Sequence, residues 1–323
     1  MGLNPDIAEP TAVSATAAVK DESKGALTPT QLIWRRFRKH RMALLGGIGT
    51  LLLILFIIGG SIIFPEHLAN DTDLYHRLSA PSSLHLFGTD SVGRDVFYRI
   101  IYGGQISLFI GVLAVFLEVT FGTVIGGIAG YYGGWVDSVL MRFTEAMLAI
   151  PSLFLLIVLA KFIGKQVGQV VILGRTFSGS IGIVILVIGI TSWMYLARIV
   201  RANVLSLKEL DYVSASKALG ASDSRIFFSH LVPNTLGPII VSATLGLAGA
   251  ILTEAYVSFL GLGVQQPTST WGNMMQQAQS FLIRGAWWMW VFPSLFIVFI
   301  ILSINLLGDG LRDAFDPRSS RHL

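Results

Sequence analysis

Cysteine is absent from all 323 residues, which excludes disulfides, zinc–thiolate sites, iron–sulfur clusters and thiol catalysis and leaves the redox compartment unread. Charge is scarce: Asp, Glu, Lys and Arg make up 13% of the chain against 53% hydrophobic residues, and the mean hydropathy is +0.68. A chain so poor in charge cannot cover a soluble globule, so its length implies one integral membrane unit and not two soluble domains. Aromatic residues are missing from the first 28 positions, a stretch rich in Ala, Thr, Glu, Asp and Lys that is expected to be a disordered tail.

Catalytic groups are missing as well. The six histidines, His40, His67, His76, His85, His230 and His322, all fall outside the apolar runs, so an intramembrane hydrolase has no base. There is no HExxH, and the nine-residue spacing of His67, His76 and His85 fits no compact metal motif. The pair Gly164-Lys165 lacks the upstream glycine of a phosphate loop, so no nucleotide, metal or other cofactor site is expected in this chain. The net charge of +4 comes from basic residues beside apolar runs, which suits membrane topology and not nucleic acid.

What is present is a series of long apolar runs. Residues 42–64 carry no charge and span about 34 Å as a helix, enough for a hydrocarbon core of about 30 Å. This run is too long for a cleaved signal peptide and is expected to stay attached. Further spans are predicted at 105–130, 143–162, 179–197, 237–260 and 287–307. Six crossings put both termini on one side, and that side holds 16 of the 23 Lys and Arg residues, which predicts cytoplasmic termini. Lys161, Lys165 and Arg175 run against the trend. Before the first span, Thr28 and Pro29 start a helix carrying Arg35, Arg36, Arg38, Lys39 and Arg41, placed to lie on anionic headgroups or to act only as a topogenic flank.

Glu118 and Glu254 lie deep in apolar runs, where a charge costs about 2.5–3.5 kcal/mol on insertion scales. Each must face protein or water, either as an interhelical hydrogen-bond partner or on a translocation path. Glu145 and Arg198 are nearer span ends and should reach an interface. Gly122, Gly126, Gly130 and Gly134 recur every fourth residue, a spacing that lets helices approach closely.

The longest connection on the terminal side, 198–236, is patterned. Asp211 is a plausible cap for a helix with Tyr212, Ala215 and Leu219 on one face and Gly220 as its stop. A second helix starting at Ser222, with Asp223 in its first turn, should end before Pro233. Its Phe227 and Phe228 either form a partner surface or pack on the underside of the bundle.

This segment resembles the EAA motif of binding-protein-dependent ABC importer permeases. Gly220 and Pro233 match in spacing and Ala215 matches the central Ala, while Ser214, Ser216 and His230 depart from the general pattern. "DYVSASKALGA" followed by "HLVPN" is similar to the peptide-transporter branch. "LFGTDSVGRDVFYRIIYGGQISL", "SFLGLGVQQPTSTWG" and "NLLGDGLRDAFDP" extend the resemblance over nearly all the chain after residue 30, and together resemble the C-type permease of dipeptide and oligopeptide importers. Locally, Arg94 and Asp95 should pair, and Gly261, Gly263 and Pro267 should break the fifth span. Trp271, Trp287, Trp288 and Trp290 suit an outer interface, and Gly308 and Gly310 should end the sixth span before a short charged helix. The connection 164–178 is longer than the family leads one to expect.

The resemblance implies an all-α membrane protein of six transmembrane helices with the type I importer permease fold. Its parts would be a tail and interfacial helix (1–41), a permease domain (42–310) with the coupling loop 198–236, and a C-terminal tail (311–323). It implies a non-catalytic subunit in the lipid bilayer of a prokaryotic inner membrane, partnered by a homologous permease, two cytoplasmic ATPases that hold ATP and Mg, and an extracytoplasmic solute-binding protein. Residues Ser214, Ala215, Ser216, Gly220, Phe227, Phe228, His230 and Pro233 would couple to the ATPase. Di- or oligopeptides are the expected cargo, with nickel chelates or oligosaccharides as alternatives. The rival is an ion-gradient transporter with Glu118 or Glu254 as relay.

Overall fold

A computed structural model describes residues 28–163, 168–172 and 175–316. The expected disorder of the N-terminal tail, the end of the C-terminal tail and the placement of Lys165 lie outside the described residues.

Helix α1 (Pro29–Lys39) opens with a capping box: the Thr28 hydroxyl accepts from the Gln31 N–H, the Gln31 side chain accepts from the Thr28 N–H, and Pro29 takes the first position. His40 interrupts it in extended backbone and caps α2 (Arg41–Ile63), its Nδ1 accepting from the Ala43 N–H at 3.0 Å. The other long apolar helices are α3 (Val96–Tyr132), α6 (Ser180–Leu207), α8 (Asp223–Phe259) and α10 (Trp288–Phe315); with α2 they make five, among the described residues, that are long and apolar enough to cross a membrane. The sixth crossing is bent. α4 (Gly134–Ala149) and α5 (Ser152–Ile163) meet at 87° where a straight span was expected over 143–162. Pro151 is the cause, since it disfavours helical backbone at Ile150, which is extended.

The connection after α5 adds a short hairpin to an otherwise helical chain. Gln169–Ile172 (β1) pairs antiparallel with Arg175–Ser178 (β2), in keeping with the β-branched run Val170, Val171 and Ile172. The hairpin is tied down where the Ser178 N–H donates to the Thr268 hydroxyl at 2.9 Å. Two further helices are short, α7 (Asp211–Ala218) and α9 (Trp271–Ala278).

Glycine sets the closest helix contacts. On α3, a β-carbon at Gly126 would overlap the Ala197 carbonyl of α6, while Gly122 faces the Leu196 side chain and Gly130 the Arg201 carbonyl. Gly189 of α6 receives Leu117 in return. Gly134 does not join this stripe; with positive φ and open space around it, it turns the chain into α4. Gly308 and Gly310 do not end the sixth span. α10 runs on to Phe315, and the two glycines let it press against Leu245 of α8 and Ala43 of α2.

Two of the four tryptophans expected at an interface are core. Trp271 is fully buried with Ile57, Ile100, Ile251 and Ile300, and its indole N–H donates to the Ile100 carbonyl at 3.0 Å. Trp288 donates to the Thr89 carbonyl at 3.0 Å, while Trp287 and Trp290 are exposed. Gly261, at φ +77°, ends α8 as expected. α1 folds back on the end of α10: Arg36 donates to the Asp316 carbonyl at 3.0 Å, and His40 lies 3.3 Å from Asp313.

Candidate coupling surface and buried polar sites

α7 stands at the end of the bundle where α1 meets the end of α10. Leu210, in extended backbone, precedes it without a side-chain cap, so Asp211 is its first residue and not its cap; the carboxylate sits where the helix dipole favours it. The helix closes at Gly220, φ +80°, with a full Schellman pair: the Gly220 N–H donates to the Lys217 carbonyl and the Ala221 N–H to the Ser216 carbonyl. One face of the α7–α8 corner is anchored, with Val213, Ile226 and Leu231 buried against Leu196, Val200 and Val204 of α6. The opposite face is bare. Tyr212, Ser214 and Ala215 are exposed, and Leu219 is 89% exposed.

Ser222 caps the next helix as expected, accepting from the Arg225 N–H. That helix does not stop before Pro233. Phe227–Leu231 form a π turn in which the Val232 N–H reaches the Phe227 carbonyl, and the helix continues through Pro233 to Phe259. Proline supplies no N–H and its ring crowds the carbonyl four residues back, and a widened turn just before it accommodates both.

The two phenylalanines divide the roles left open for them. Phe227 is half-buried with its ring on Gly127 of α3, whereas Phe228 is 66% exposed. Ser216 and His230, both departures from the general motif, meet across the corner. Ser216 Oγ lies 3.5 Å from His230 Nε2 and donates to the Tyr212 carbonyl at 2.8 Å. Asn234 closes the group, donating to the His230 carbonyl at 2.6 Å and the Tyr212 hydroxyl at 3.4 Å.

Two residue pairs without local sequence signal brace this end. Tyr131 of α3 donates to Asp223 at 2.6 Å, and Arg201 of α6 grips Asp137 of α4 with two hydrogen bonds, Nη2 to Oδ2 at 2.6 Å. Asn234, Asp137 and Asp223 were not singled out as partners from the sequence, because 64 and 92 residues separate the two braced pairs.

The intramembrane carboxylates differ. Glu254 is fully buried and accepts from Ser107 of α3 at 2.8 Å and Ser258 at 2.7 Å. Glu118 is 7% exposed and fills the space that Gly246 of α8 leaves empty; it makes no hydrogen bond or ion pair among the described residues. Glu145 and Arg198 are exposed.

At the far end of the bundle Arg94 pairs with Asp90, Nε to Oδ2 at 2.6 Å, and not with Asp95. Asp95 caps α3 through the Phe97 N–H and takes His85 Nδ1 at 3.0 Å. The spacing of Asp90 four residues before Arg94 was the available signal. Nearby, hydrogen bonds from His76 and the Tyr75 N–H hold the exposed Asp73 carboxyl below its ordinary value. Among the described residues no group of three or more His, Asp or Glu is placed to hold a metal ion.

Residues 122–321 match the family described as binding-protein-dependent transport system inner membrane component, and residues 28–81 match the N-terminal TM domain of oligopeptide transport permease C. The dipeptide transport system permease protein DppC of Bacillus subtilis (strain 168) is 40% identical over 296 residues, covering 92% of this chain and 88% of its own length. The oligopeptide transport system permease protein OppC of the same organism is 40% identical over 310 residues, 96% of each chain. The glutathione transport system permease protein GsiD of Pectobacterium atrosepticum is 38% identical over 91% of this chain and 93% of its own. Among solved structures, the inward-facing MetNI methionine ABC transporter aligns with TM-score 0.49 at 18% identity, over 68% of this chain and 97% of that one.

Proposed function

This chain belongs to the family of binding-protein-dependent transport system inner membrane components, and on that premise we propose that its cargo is peptide and that residues 211–233 are the surface through which a partner ATPase drives it. The chain is a multi-pass permease subunit of an ABC importer, a type of machine that also comprises a second permease, ATPase and a binding protein. Peptide is favoured over nickel chelates and oligosaccharides because the relatives at 38–40% identity are named for dipeptide, oligopeptide and glutathione, itself a tripeptide.

We place both termini in the cytoplasm, with two ATPases beneath α7 and a homologous permease completing the path. ATP and Mg belong to the ATPases, and this chain contributes no catalytic group. ATP binding closes the ATPase pair, α7 moves with it, the spans open outward to receive peptide from the solute-binding protein, and hydrolysis resets them. Of the two carboxylates, Glu118 is the one we set beside the path, since the oxygens of Glu254 are taken by Ser107 and Ser258.

One observation carries the coupling role: Leu219 and Phe228 stand exposed on a corner whose other face is buried against α6. Large apolar groups held rigidly in the open indicate an absent protein partner. Leu219→Asp and Phe228→Asp should leave the chain inserted and release the ATPase subunits in co-purification, with loss of ATP-driven uptake in vesicles. Full retention of both ATPases and of uptake by the double variant would overturn the assignment.

A further inference from the structure

Between α2 and α10 a cleft of about 480 Å³ opens on the outside of the bundle. Leu52, Leu53 and Phe56 line it from one side, Leu295, Phe299 and Leu302 from the other. The volume suits a small organic ligand, for which pockets run to roughly 300–1,000 Å³. Every side chain on its walls is apolar, so the complementary occupant is hydrocarbon. Nothing in the described chain covers it, and Leu52, Leu295 and Leu302 are each more than half exposed.

The face of α2 that bears Leu52 continues toward the terminal end through Ile48 and Leu45 to Arg41, in steps of four, three and four residues, all exposed. Eleven residues separate Arg41 from Leu52, about 16 Å of helix, and half of a hydrocarbon core is about 15 Å. A phosphate at Arg41 therefore brings the end of an acyl chain to the near edge of the cleft at Leu52. Arg41, Arg38, Arg35 and Lys39 have no acidic partner among the described residues, and α1 has none of its own. The adjoining end of α10 carries Asp309, Asp313 and Asp316 with Arg312, so among the described residues of α1, the start of α2 and the end of α10 six cations stand to three acids. Trp34 and Leu32 are exposed on α1, apolar groups beside the charges in the arrangement that seats a helix in headgroups.

We propose that α1, α2 and α10 form a binding site for one anionic phospholipid of the leaflet nearest α1, its phosphate held by Arg41 and Arg38 and the end of one acyl chain entering the α2–α10 cleft at Leu52. The inference needs the membrane placement of the family and not its cargo, so it stands or falls apart from the peptide assignment. Because α1 is bonded to the end of α10 through Arg36 and His40, the lipid also clasps the first and last helices together.

The test uses the assembled importer in vesicles of phosphatidylethanolamine with or without phosphatidylglycerol, followed by native mass spectrometry of the lipids retained. Phosphatidylglycerol should be enriched over phosphatidylethanolamine, and Arg41→Gln and Arg38→Gln should each cut that enrichment about five-fold. Leu52→Trp, which fills the cleft, should lower the number of lipids retained by one. Retention that ignores headgroup charge and both arginine substitutions overturns the proposal. Because the chain has no cysteine, a single Leu52→Cys gives a second measurement that does not depend on lipid retention. Crosslinking of that cysteine to the second permease would show the cleft to be a protein interface and sink the idea, whereas photo-capture of residue 52 by a phosphatidylglycerol carrying a diazirine at the end of its acyl chain supports it.

Discussion

Replacing Gly220 tests the coupling corner with little else disturbed. Its φ is +80°, and a β-carbon added there meets nothing within 4 Å. Gly220→Ala therefore carries no steric penalty, and its cost is that of left-handed backbone, roughly 1–2 kcal/mol. That is a factor of about 5–30 in the balance between the capped and frayed ends of α7. Fraying releases the Schellman bonds and lets Leu219 swing out of register, while Val213, Ile226 and Leu231 still hold the corner to α6. The chain should thus insert in normal amount, and peptide taken up per ATP hydrolysed in vesicles of the assembled importer should fall by up to that factor. Gly220→Asn should recover most of the loss, since Asn tolerates this backbone region. The reasoning fails if the Ala variant couples normally, or if Asn is as damaged as Ala, because the defect would then lie in side-chain contact and not in backbone conformation.

Gly126→Ala forces a methyl group into the Ala197 carbonyl, so it should cost about 1–3 kcal/mol or more and lower the amount of folded chain in membranes, in contrast to Gly220→Ala. Glu254→Leu orphans the buried hydroxyls of Ser107 and Ser258, for about 2–6 kcal/mol if neither finds a new acceptor, and should lower the thermal stability of the complex far more than Glu254→Gln, which keeps one acceptor. Glu118→Gln should leave ATP-driven uptake standing in the absence of any ion gradient; uptake that needs a gradient, runs without ATP and is lost in this variant would instead support the ion-coupled rival.

Much of this was legible in the sequence where a single segment decides the outcome. Uncharged runs located five of the spans to within a few residues at one end or the other, and the residues around Gly220 and Ser222 gave the turn because left-handed glycine and a serine cap act locally. Failures came where a distant neighbour sets the result. Gly308 and Gly310 looked like breakers, yet glycine in a helix is equally a place where another helix comes close, and only Ala43 and Leu245 decide which. Trp271 and Trp288 looked interfacial because the residues that bury them come from other parts of the chain. Pro233 was read as a stop because the π turn that admits it leaves no mark in hydrophobic spacing. Pro151 carried the signal for the bend between α4 and α5, but the apolar run through it outweighed the break.

The passage of α8 through Pro233 has a mechanical consequence. From Asp223 to Phe259 the backbone is one helix of 37 residues, about 55 Å long. It begins beside the exposed Phe228 and ends just beyond Glu254, whose hydroxyl bonds moor it to α3. Had the helix stopped before Pro233, a push on the corner would have been absorbed in a hinge. As built, it is a strut tied to α3 at both ends, by Tyr131–Asp223 and by Ser107–Glu254, so a push at Phe228 is passed to α3 and not lost in a hinge.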